Sequence, residues 1–196
     1  MGRAMSSSSP QGRRGNTRQR IQDVALELFA EQGYEKTSLR EIAERLEVTK
    51  AALYYHFKTK EDIIVSVFED VTRPIDELIE WAQQQPRTLE TKCEVLRRYS
   101  KAMAGGAQLY RFMQENQATM RDLPIGETVR RRLFTLVELL RNEEGPVTDQ
   151  VRCVSALFTL HAGMMFLQHV EADPEETRLA ALEVATDLIT QAHHGS

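Results

Sequence analysis

The side chains best suited to contact a polyanion are crowded into residues 49–58, which read TKAALYYHFK. Three aromatic residues and a histidine stand here between lysines, although aromatic residues make up only 7% of the chain. Phenol hydroxyls, imidazole nitrogens and ammonium groups all donate hydrogen bonds to phosphate oxygens. The stretch is therefore either a piece of core or a surface that lies against a charged partner.

Helical geometry divides this stretch between core and surface. Residues four apart share a face of a helix, so Leu53 and Phe57 are expected to be buried together, against Ile42, Leu46 and Val48. The same geometry turns four other residues away from the core: Lys50, Ala51, Tyr54 and Tyr55. A short helix with such an outer face fits the major groove of DNA.

The charge of the chain is unevenly distributed. Residues 1–60 hold 11 Lys and Arg against 7 Asp and Glu, whereas residues 61–196 hold 14 against 22. A basic end on an acidic body indicates that only the first part meets a polyanion. Ordinary scatter of surface charge is the alternative, and charge alone does not decide between them.

Apolar periodicity predicts an all-α protein of about nine helices. A first stripe recurs at i, i+3, i+4, i+7 and i+8 from Ile21, and Gly33 ends it. Ser38 and Glu41 form a capping-box pattern before a short helix, and three residues separate that helix from the next, as in a helix-turn-helix. A fourth helix is expected over Thr59–Val71, before Pro74. The last two helices are predicted at about 148–170 and 174–192.

Three segments follow from this pattern. Residues 1–15 are predicted to be a disordered basic arm, rich in Ser, Gly and Arg. Residues 16–62 are predicted to be a three-helix head that contains the helix-turn-helix. Residues 63–196 are predicted to be a larger helical bundle, the body.

Several classes of protein are disfavoured by what the sequence lacks. No apolar run approaches the roughly 18 residues of a membrane span, and the N-terminus has no apolar signal region, so a cytoplasmic protein without membrane contact is expected. None of the motifs GxSxG, HExxH, P-loop or GxGxxG is present, so an enzyme is not expected. Neither a cofactor nor a metal is expected, because His161 and His169 are about 12 Å apart along a helix. Cys93 and Cys153 are interpreted as free thiols, with a redox pair as the alternative.

Residues from about Thr17 to Val71 resemble the DNA-binding domain of the tetracycline-repressor (TetR) family of transcriptional regulators. The resemblance is carried by three blocks: Ala25, Leu28-Phe29 and Gly33-Tyr34; Thr37–Ala43, TSLREIA; and Val48–Lys60, VTKAALYYHFKTK. One residue departs from the family pattern. Glu47 stands where the family usually has glycine, at a turn position that often needs φ > 0, where a side chain costs roughly 1 kcal/mol or more.

The resemblance implies DNA-contacting roles by position. Three residues would begin the recognition helix and face bases: Thr49, Lys50 and Ala51. Arg40 could also reach a base. Six residues would contact phosphates: Thr37, Ser38, Tyr54, Tyr55, His56 and Lys60.

Alternatives stay open for several of these roles. Tyr55 could instead pack under the next helix, and His56 could be a capping or core histidine. Three arginines near the N-terminus could contact DNA or merely make the arm soluble: Arg13, Arg14 and Arg18.

For the body, the resemblance is one of architecture and implies a homodimer that binds a small effector. The last two helices would form a four-helix bundle with a second copy, with Ala156, Ala162 and Gly163 allowing close approach; an ordinary intramolecular core is the alternative. The candidate ligand-binding residues are Met103, Tyr110, Phe112, Met113, His161, Met164, Met165 and Phe166. Methionine and aromatic side chains make adaptable apolar walls, although each could equally be core.

The function implied is that of a regulator bound to a near-palindromic double-stranded operator. It would be a repressor that an apolar or amphipathic small molecule releases. A DNA-binding protein without an effector, or an activator of the same fold, is the alternative.

Overall fold

The computed structural model describes residues 10–116, 123–141, 145–166 and 172–194. These residues contain nine α-helices and no strand. The helices are α1 (Pro10–Gln32), α2 (Leu39–Arg45), α3 (Lys50–His56), α4 (Lys60–Gln83), α5 (Leu89–Gly105), α6 (Ala107–Glu115), α7 (Ile125–Leu140), α8 (Val147–Phe166) and α9 (Pro174–His194). The expected all-α fold is confirmed.

The chain divides into two compact units, Met1–Glu69 and Asp70–Ser196. The division lies later than the boundary predicted at 62–63, because the first part of α4 buries Ile63, Ile64 and Phe68 within the first unit. Helix α1 begins at Pro10, inside the segment 1–15 that was predicted to lack regular structure. That part of the prediction is wrong for residues 10–15, and residues 1–9 lie outside the described part of the chain.

The first unit is built on the apolar stripe of α1. Ile21, Ala25, Leu28 and Phe29 are all buried, as their spacing predicted. Helix α2 packs on α1, and α3 packs on α2. This small core holds the two short helices, which are too short to be stable alone.

The turn between α2 and α3 forces one residue into a left-handed conformation. Glu47 has a φ of 55°, the only positive φ of a non-glycine residue in the described part of the chain. Its amide donates to the carbonyl of Glu44 (3.1 Å), and the amide of Val48 donates to that of Ala43 (3.0 Å). These two bonds are the Schellman pattern, in which the left-handed position usually holds glycine. The conformation anticipated from the sequence is present, with a glutamate in it.

Helix α4 runs through a proline. It was predicted to end before Pro74, but it continues to Gln83 with Pro74 in its interior. A proline inside a helix costs about 3 kcal/mol, since it lacks an N–H and its ring crowds the preceding turn. Beyond the proline, Ile75, Leu78 and Ala82 are buried in the core of the second unit. We attribute the continuous helix to this burial, which outweighs the local preference.

The core of the second unit lies between its long helices. Helix α9 packs mainly against α8 and also against α5. A Cβ atom placed on Gly163 of α8 would lie 2.8 Å from the Cβ of Ala181 on α9. Ala156 and Gly163 are buried within the chain, and Ala162 is half-buried. Ala156 and Gly163 therefore pack within the chain. This agrees with the alternative that the two helices form an ordinary intramolecular core.

Three charged residues are buried in the described part of this unit: Lys92, Arg132 and Asp149. The guanidinium of Arg132 on α7 donates to both carboxylate oxygens of Asp76 on α4, at 2.7 and 2.5 Å. Its third nitrogen donates to the hydroxyl of Thr72, at 2.7 Å. A bidentate pair with an added hydrogen bond compensates the buried charge and fixes α7 against α4.

Cys93 and Cys153 form no disulfide; Cys153 is buried and Cys93 is half-buried. Burial raises the pKa of the Cys93 thiol, which disfavours its reactive thiolate form. Within the described ranges, no helix is both long enough and apolar enough to cross a bilayer.

Replacing Glu47 by glycine is expected to stabilise the protein by about 0.5–1 kcal/mol. Relief of left-handed strain contributes about 1–2 kcal/mol, and the greater freedom of glycine in the unfolded chain offsets part of it. The measurement is urea unfolding followed by circular dichroism. Glu47→Ala is the control, since it removes the carboxylate without relieving the strain. Equal stability of the two variants would show that the turn is unstrained.

Candidate nucleic-acid interface and ligand cavity

Helix α3 presents one face to the core and the opposite face to solvent. Leu53 is fully buried and Phe57 is 3% exposed, whereas Tyr54 is 44% and Tyr55 is 68% exposed. Lys50 and Ala51, at the first turn, are exposed as well. The division expected from the spacing of residues 49–58 is present. The exposed tyrosine at 55 also excludes the alternative that it packs under the next helix.

The N-terminus of α3 is capped by a residue predicted to face a base. The Thr49 hydroxyl accepts a hydrogen bond from the amide of Ala52, at 3.1 Å. Its oxygen thus satisfies one of the free amides of the first turn, and the side chain remains exposed. A cap in this place holds the first turn, including Lys50, in a fixed orientation.

The predicted capping box of α2 is present. The Ser38 hydroxyl accepts from the amide of Glu41 (3.2 Å), and the Glu41 carboxylate accepts from the Ser38 amide (2.8 Å) and hydroxyl (2.7 Å). These bonds from Ser38 hold the pKa of Glu41 below its ordinary value. Arg40 is exposed on the same helix, where its Nε lies 2.6 Å from the carboxylate of Glu44. Such an exposed pair is weak, so Arg40 remains available to a partner.

Thr37 does not lie at the surface. It is 2% exposed, and its hydroxyl lies 2.9 Å from the Gly33 carbonyl and 3.3 Å from that of Leu28. The side-chain amide of Gln32 also donates to this hydroxyl, at 3.2 Å. The Thr37 hydroxyl therefore binds the last carbonyls of α1, and a phosphate contact by its side chain is not supported.

Two lysines beside α3 are held by backbone carbonyls. The ammonium of Lys58 donates to the carbonyl of Tyr54 (2.6 Å), and that of Lys60 donates to the carbonyl of Tyr34 (2.7 Å). Lys60 also lies over the Tyr34 ring, 4.3 Å from its centroid. Each ammonium has three hydrogens, so one carbonyl leaves donors for a phosphate. The predicted role of Lys60 remains compatible with this placement.

The aromatic cluster extends to His56, which is half-buried. Its ring meets the Tyr55 ring edge to face, with centroids 5.2 Å apart.

Arg18, which was considered as a DNA-contacting or solubilising residue of the N-terminal arm, is bound within the first unit. Its guanidinium donates to the Ser66 hydroxyl at 2.5 Å and lies over the Phe57 ring. Arg18 therefore joins α1 to α3 and α4. The side chains of Arg13 and Arg14 lie outside the described ones.

The second unit contains a partly open cavity of about 510 Å³ between α5, α6, α8 and the start of α9. This volume is within the range of small-molecule sites. Two of the predicted ligand residues, Met103 and Tyr110, line it. Gly106 makes room for the Tyr110 ring, since a Cβ there would lie 2.8 Å from that ring. Burial raises the pKa of Tyr110, which keeps its hydroxyl protonated.

The other predicted ligand residues divide into two groups. Phe112 and Met113 are half-buried on α6 but are not part of the cavity wall. The second group lies outside the side chains that the structure describes: Met164, Met165 and Phe166.

His161 is not part of the wall either; both of its ring nitrogens have protein partners. Nδ1 lies 3.0 Å from the Leu157 carbonyl, so Nδ1 carries the hydrogen. Nε2 then accepts from the Tyr99 hydroxyl, at 2.9 Å. Burial lowers the pKa of His161, in keeping with this neutral ring. The expected role of His161 in orienting a ligand is therefore not supported; it joins α8 to α5.

The wall also contains charged residues that sequence reasoning missed. Arg178 of α9 donates to both carboxylate oxygens of Glu175, at 2.7 and 2.6 Å, and to the Ser100 hydroxyl on α5, at 3.1 Å. Arg111 and Asp173 are the other charged residues in the described part of the wall. Only the i, i+3 spacing of Glu175 and Arg178 was visible in the sequence, and such pairs usually lie on a solvated face.

The fold and these two sites define a class: a helix-turn-helix protein whose helical body contains a cavity. Comparison with known proteins shows what the first unit is similar to. Residues 21–67 match the sequence profile described as bacterial regulatory proteins, tetR family. The match contains α2 and α3 with the turn between them.

Curated relatives match over limited lengths. The transcriptional regulator AcrR of Shigella flexneri is 50% identical over 62 residues, which are 32% of this chain and 29% of the relative. QacR of Staphylococcus aureus is 38% identical over 82 residues, 42% of this chain and 40% of the relative. The chain thus spans less than half the length of these two relatives. Both are named as regulators of transcription, in agreement with the prediction that the chain is not an enzyme.

The likeness of the fold extends further. The crystal structure of a TetR-family transcriptional regulator from Syntrophomonas wolfei superposes with a TM-score of 0.66, covering 90% of this chain and 96% of that one at 23% identity. The resemblance recognised in the sequence is confirmed. Residues 21–67 are similar to the DNA-binding domain of the tetR family, and the fold of the described residues is similar to that of the Syntrophomonas wolfei protein.

Proposed function

We propose that the protein is a homodimeric cytoplasmic repressor that binds a near-palindromic operator and is released from it by a small molecule. The observation that carries the proposal is the outer face of α3, within the tetR-family match. Its exposed lysine and tyrosines supply donors and ring surface, while Leu53 and Phe57 hold the helix in place. Base contacts at the start of such a helix give specificity, and phosphate contacts around it give affinity.

Dimerisation is supported by apolar side chains left exposed on the last two helices. Val151 and Phe158 on α8 and Val184 on α9 are each more than half exposed. The inner face of α9 is occupied within the chain by Ala185 and Ile189, so the exposed residues belong to other faces. A two-fold dimer would cover them and present two copies of α3 to half-sites of a palindrome.

Effector control is supported by the cavity. A body with a solid core would favour a DNA-binding protein without an effector, and the volume of about 510 Å³ favours a ligand instead. Helix α4 runs from Lys60 in the first unit to Gln83 in the second unit. It is therefore the element proposed to transmit ligand binding to the helix-turn-helix. Action as an activator remains the alternative, and transcription with and without the protein separates the two.

Lys50→Ala is expected to lower the ratio of operator to random-DNA affinity by about 5- to 150-fold, since a base contact is worth about 1–3 kcal/mol. Lys60→Ala is expected to weaken binding to both DNAs equally and to reduce the salt slope of log K by about 0.9. Fluorescence anisotropy at several salt concentrations measures both effects. Lys101→Ala, which removes an exposed lysine of the second unit, is the charge-matched control. Equal losses on both DNAs for Lys50→Ala would remove it from the base-contacting set.

Phe158→Glu is expected to convert the dimer into a monomer, because it places a charge on the proposed interface. Phe134→Glu is the matched control: this phenylalanine is 66% exposed on α7, outside the proposed interface, and its variant should remain dimeric. Sedimentation velocity at micromolar concentration distinguishes the states. A monomeric wild type, or two variants that behave alike, would contradict the proposed interface.

Ligand and operator are expected to weaken each other's binding by the same factor, about 5- to 150-fold for a coupling of 1–3 kcal/mol. Calorimetric titration of a small molecule identified by screening, with and without operator, measures the factor. Random DNA that the protein does not bind specifically serves as the control. The same ligand affinity in all titrations would leave a DNA-binding protein whose cavity does not regulate it.

A further inference from the structure

The charged part of the cavity wall includes one ion pair, between the half-buried Arg178 and the exposed Glu175. The Arg178 side chain is 22% exposed, whereas that of Glu175 is 62% exposed. Arg178 remains charged at any relevant pH, because the bonds to Glu175 raise its already high pKa. A half-buried guanidinium is stabilised by an anionic partner with this bidentate geometry.

Glu175 is a partner that can be replaced. It lies in the first turn of α9 and is mostly in contact with solvent, so rotating its carboxylate into water costs little. The Ser100 hydroxyl, which is buried on α5, also accepts from Arg178 and holds its guanidinium in position. A planar guanidinium fixed in this way offers two parallel N–H donors, the geometry that a carboxylate accepts.

The remaining charges of the wall determine the charge of the ligand. Among the described residues of the wall, two guanidinium groups, those of Arg111 and Arg178, are balanced by the carboxylates of Asp173 and Glu175. The Asp173 carboxylate is engaged by the amides of Glu175 and Glu176, at 2.8 and 3.2 Å, so it does not leave easily. When Glu175 rotates away, the wall lacks one negative charge. A single carboxylate restores the balance, whereas a cation would leave Arg178 without a partner.

The rest of the wall suits an apolar body. Met103, Ala104, Ala107, Leu160 and Ala181 contribute methyl, thioether and aliphatic surface. We propose that the cavity binds an amphipathic monoanion, an apolar body with one carboxylate, and that Arg178 binds this carboxylate in place of Glu175. The inference deepens the proposed function, since it names the ligand class of the same cavity.

The test uses three probes with one alkyl chain and different head groups: decanoate, 1-decanol and decyltrimethylammonium. Each is titrated calorimetrically into the full-length protein without DNA. The wild type is expected to bind decanoate at least tenfold more tightly than decanol, and the ammonium most weakly. Equal affinity for decanoate and decanol, or no binding of decanoate, overturns the proposal.

Variants assign the preference to the two residues. Arg178→Gln is expected to lose the tenfold preference for decanoate while its affinity for decanol is unchanged, which also shows that the cavity is intact. Glu175→Gln is expected to bind decanoate about threefold more tightly, because the internal competitor is gone. Glu176→Gln, its exposed neighbour outside the wall, is the matched control and is expected to behave as wild type. Weaker decanoate binding by Glu175→Gln contradicts the replacement of this carboxylate.

The absence of DNA separates this inference from the proposed function. If the protein binds its operator but shows no head-group preference, the proposed ligand class is wrong and the proposed function stands. If it prefers decanoate through Arg178 but binds no operator, the reverse holds. Should Arg178→Gln fail to fold, the comparison of Glu175→Gln with Glu176→Gln still decides the question.

Discussion

The burial of Leu53 and Phe57 is the constraint on which the first unit depends. Both side chains are held in the core that α1 and α2 provide, so the helix cannot rotate about its axis. The exposed residues at 50, 51, 54 and 55 therefore face solvent together without needing any contact of their own. A seven-residue helix has little intrinsic stability, and its orientation is entirely a product of tertiary packing.

In the second unit, polar contacts join the helices around the cavity. Arg178, held by Glu175 and by Ser100, joins α9 to α5 at the wall of the cavity. Tyr99 and His161 join α5 to α8 by a second polar contact. Arg132 similarly joins α7 to α4. Directional hydrogen bonds between helices maintain their separation where apolar side chains alone would tend to close the gap.

Local features were predictable from the sequence, and features created by packing were not. The capping box at Ser38, the left-handed turn at Glu47 and the start of α9 at Pro174 depend on a few adjacent residues. The continuation of α4 through Pro74 depends instead on buried contacts made beyond the proline. The burial of Thr37 likewise follows from the end of α1, which no local pattern indicates.

The cavity shows the same limit more clearly. Composition directed attention to methionine and aromatic side chains, and two of these, Met103 and Tyr110, do line the wall. The charged residues of the wall come from α6 and from the start of α9, segments far apart in sequence. Their convergence arises only when the helices are assembled, and so Arg178 could not be distinguished from an ordinary surface arginine.

The contact of Gly163 with Ala181 has a mechanical consequence. With no space for even one more carbon between α8 and α9 at this point, the two helices cannot slide past each other without separating. Both residues also line the cavity. A molecule in the cavity would therefore touch both helices where they are pressed together. Helix α8 has 20 residues, about 30 Å at about 1.5 Å per residue, so a tilt of the helix at this contact would also shift its distant end.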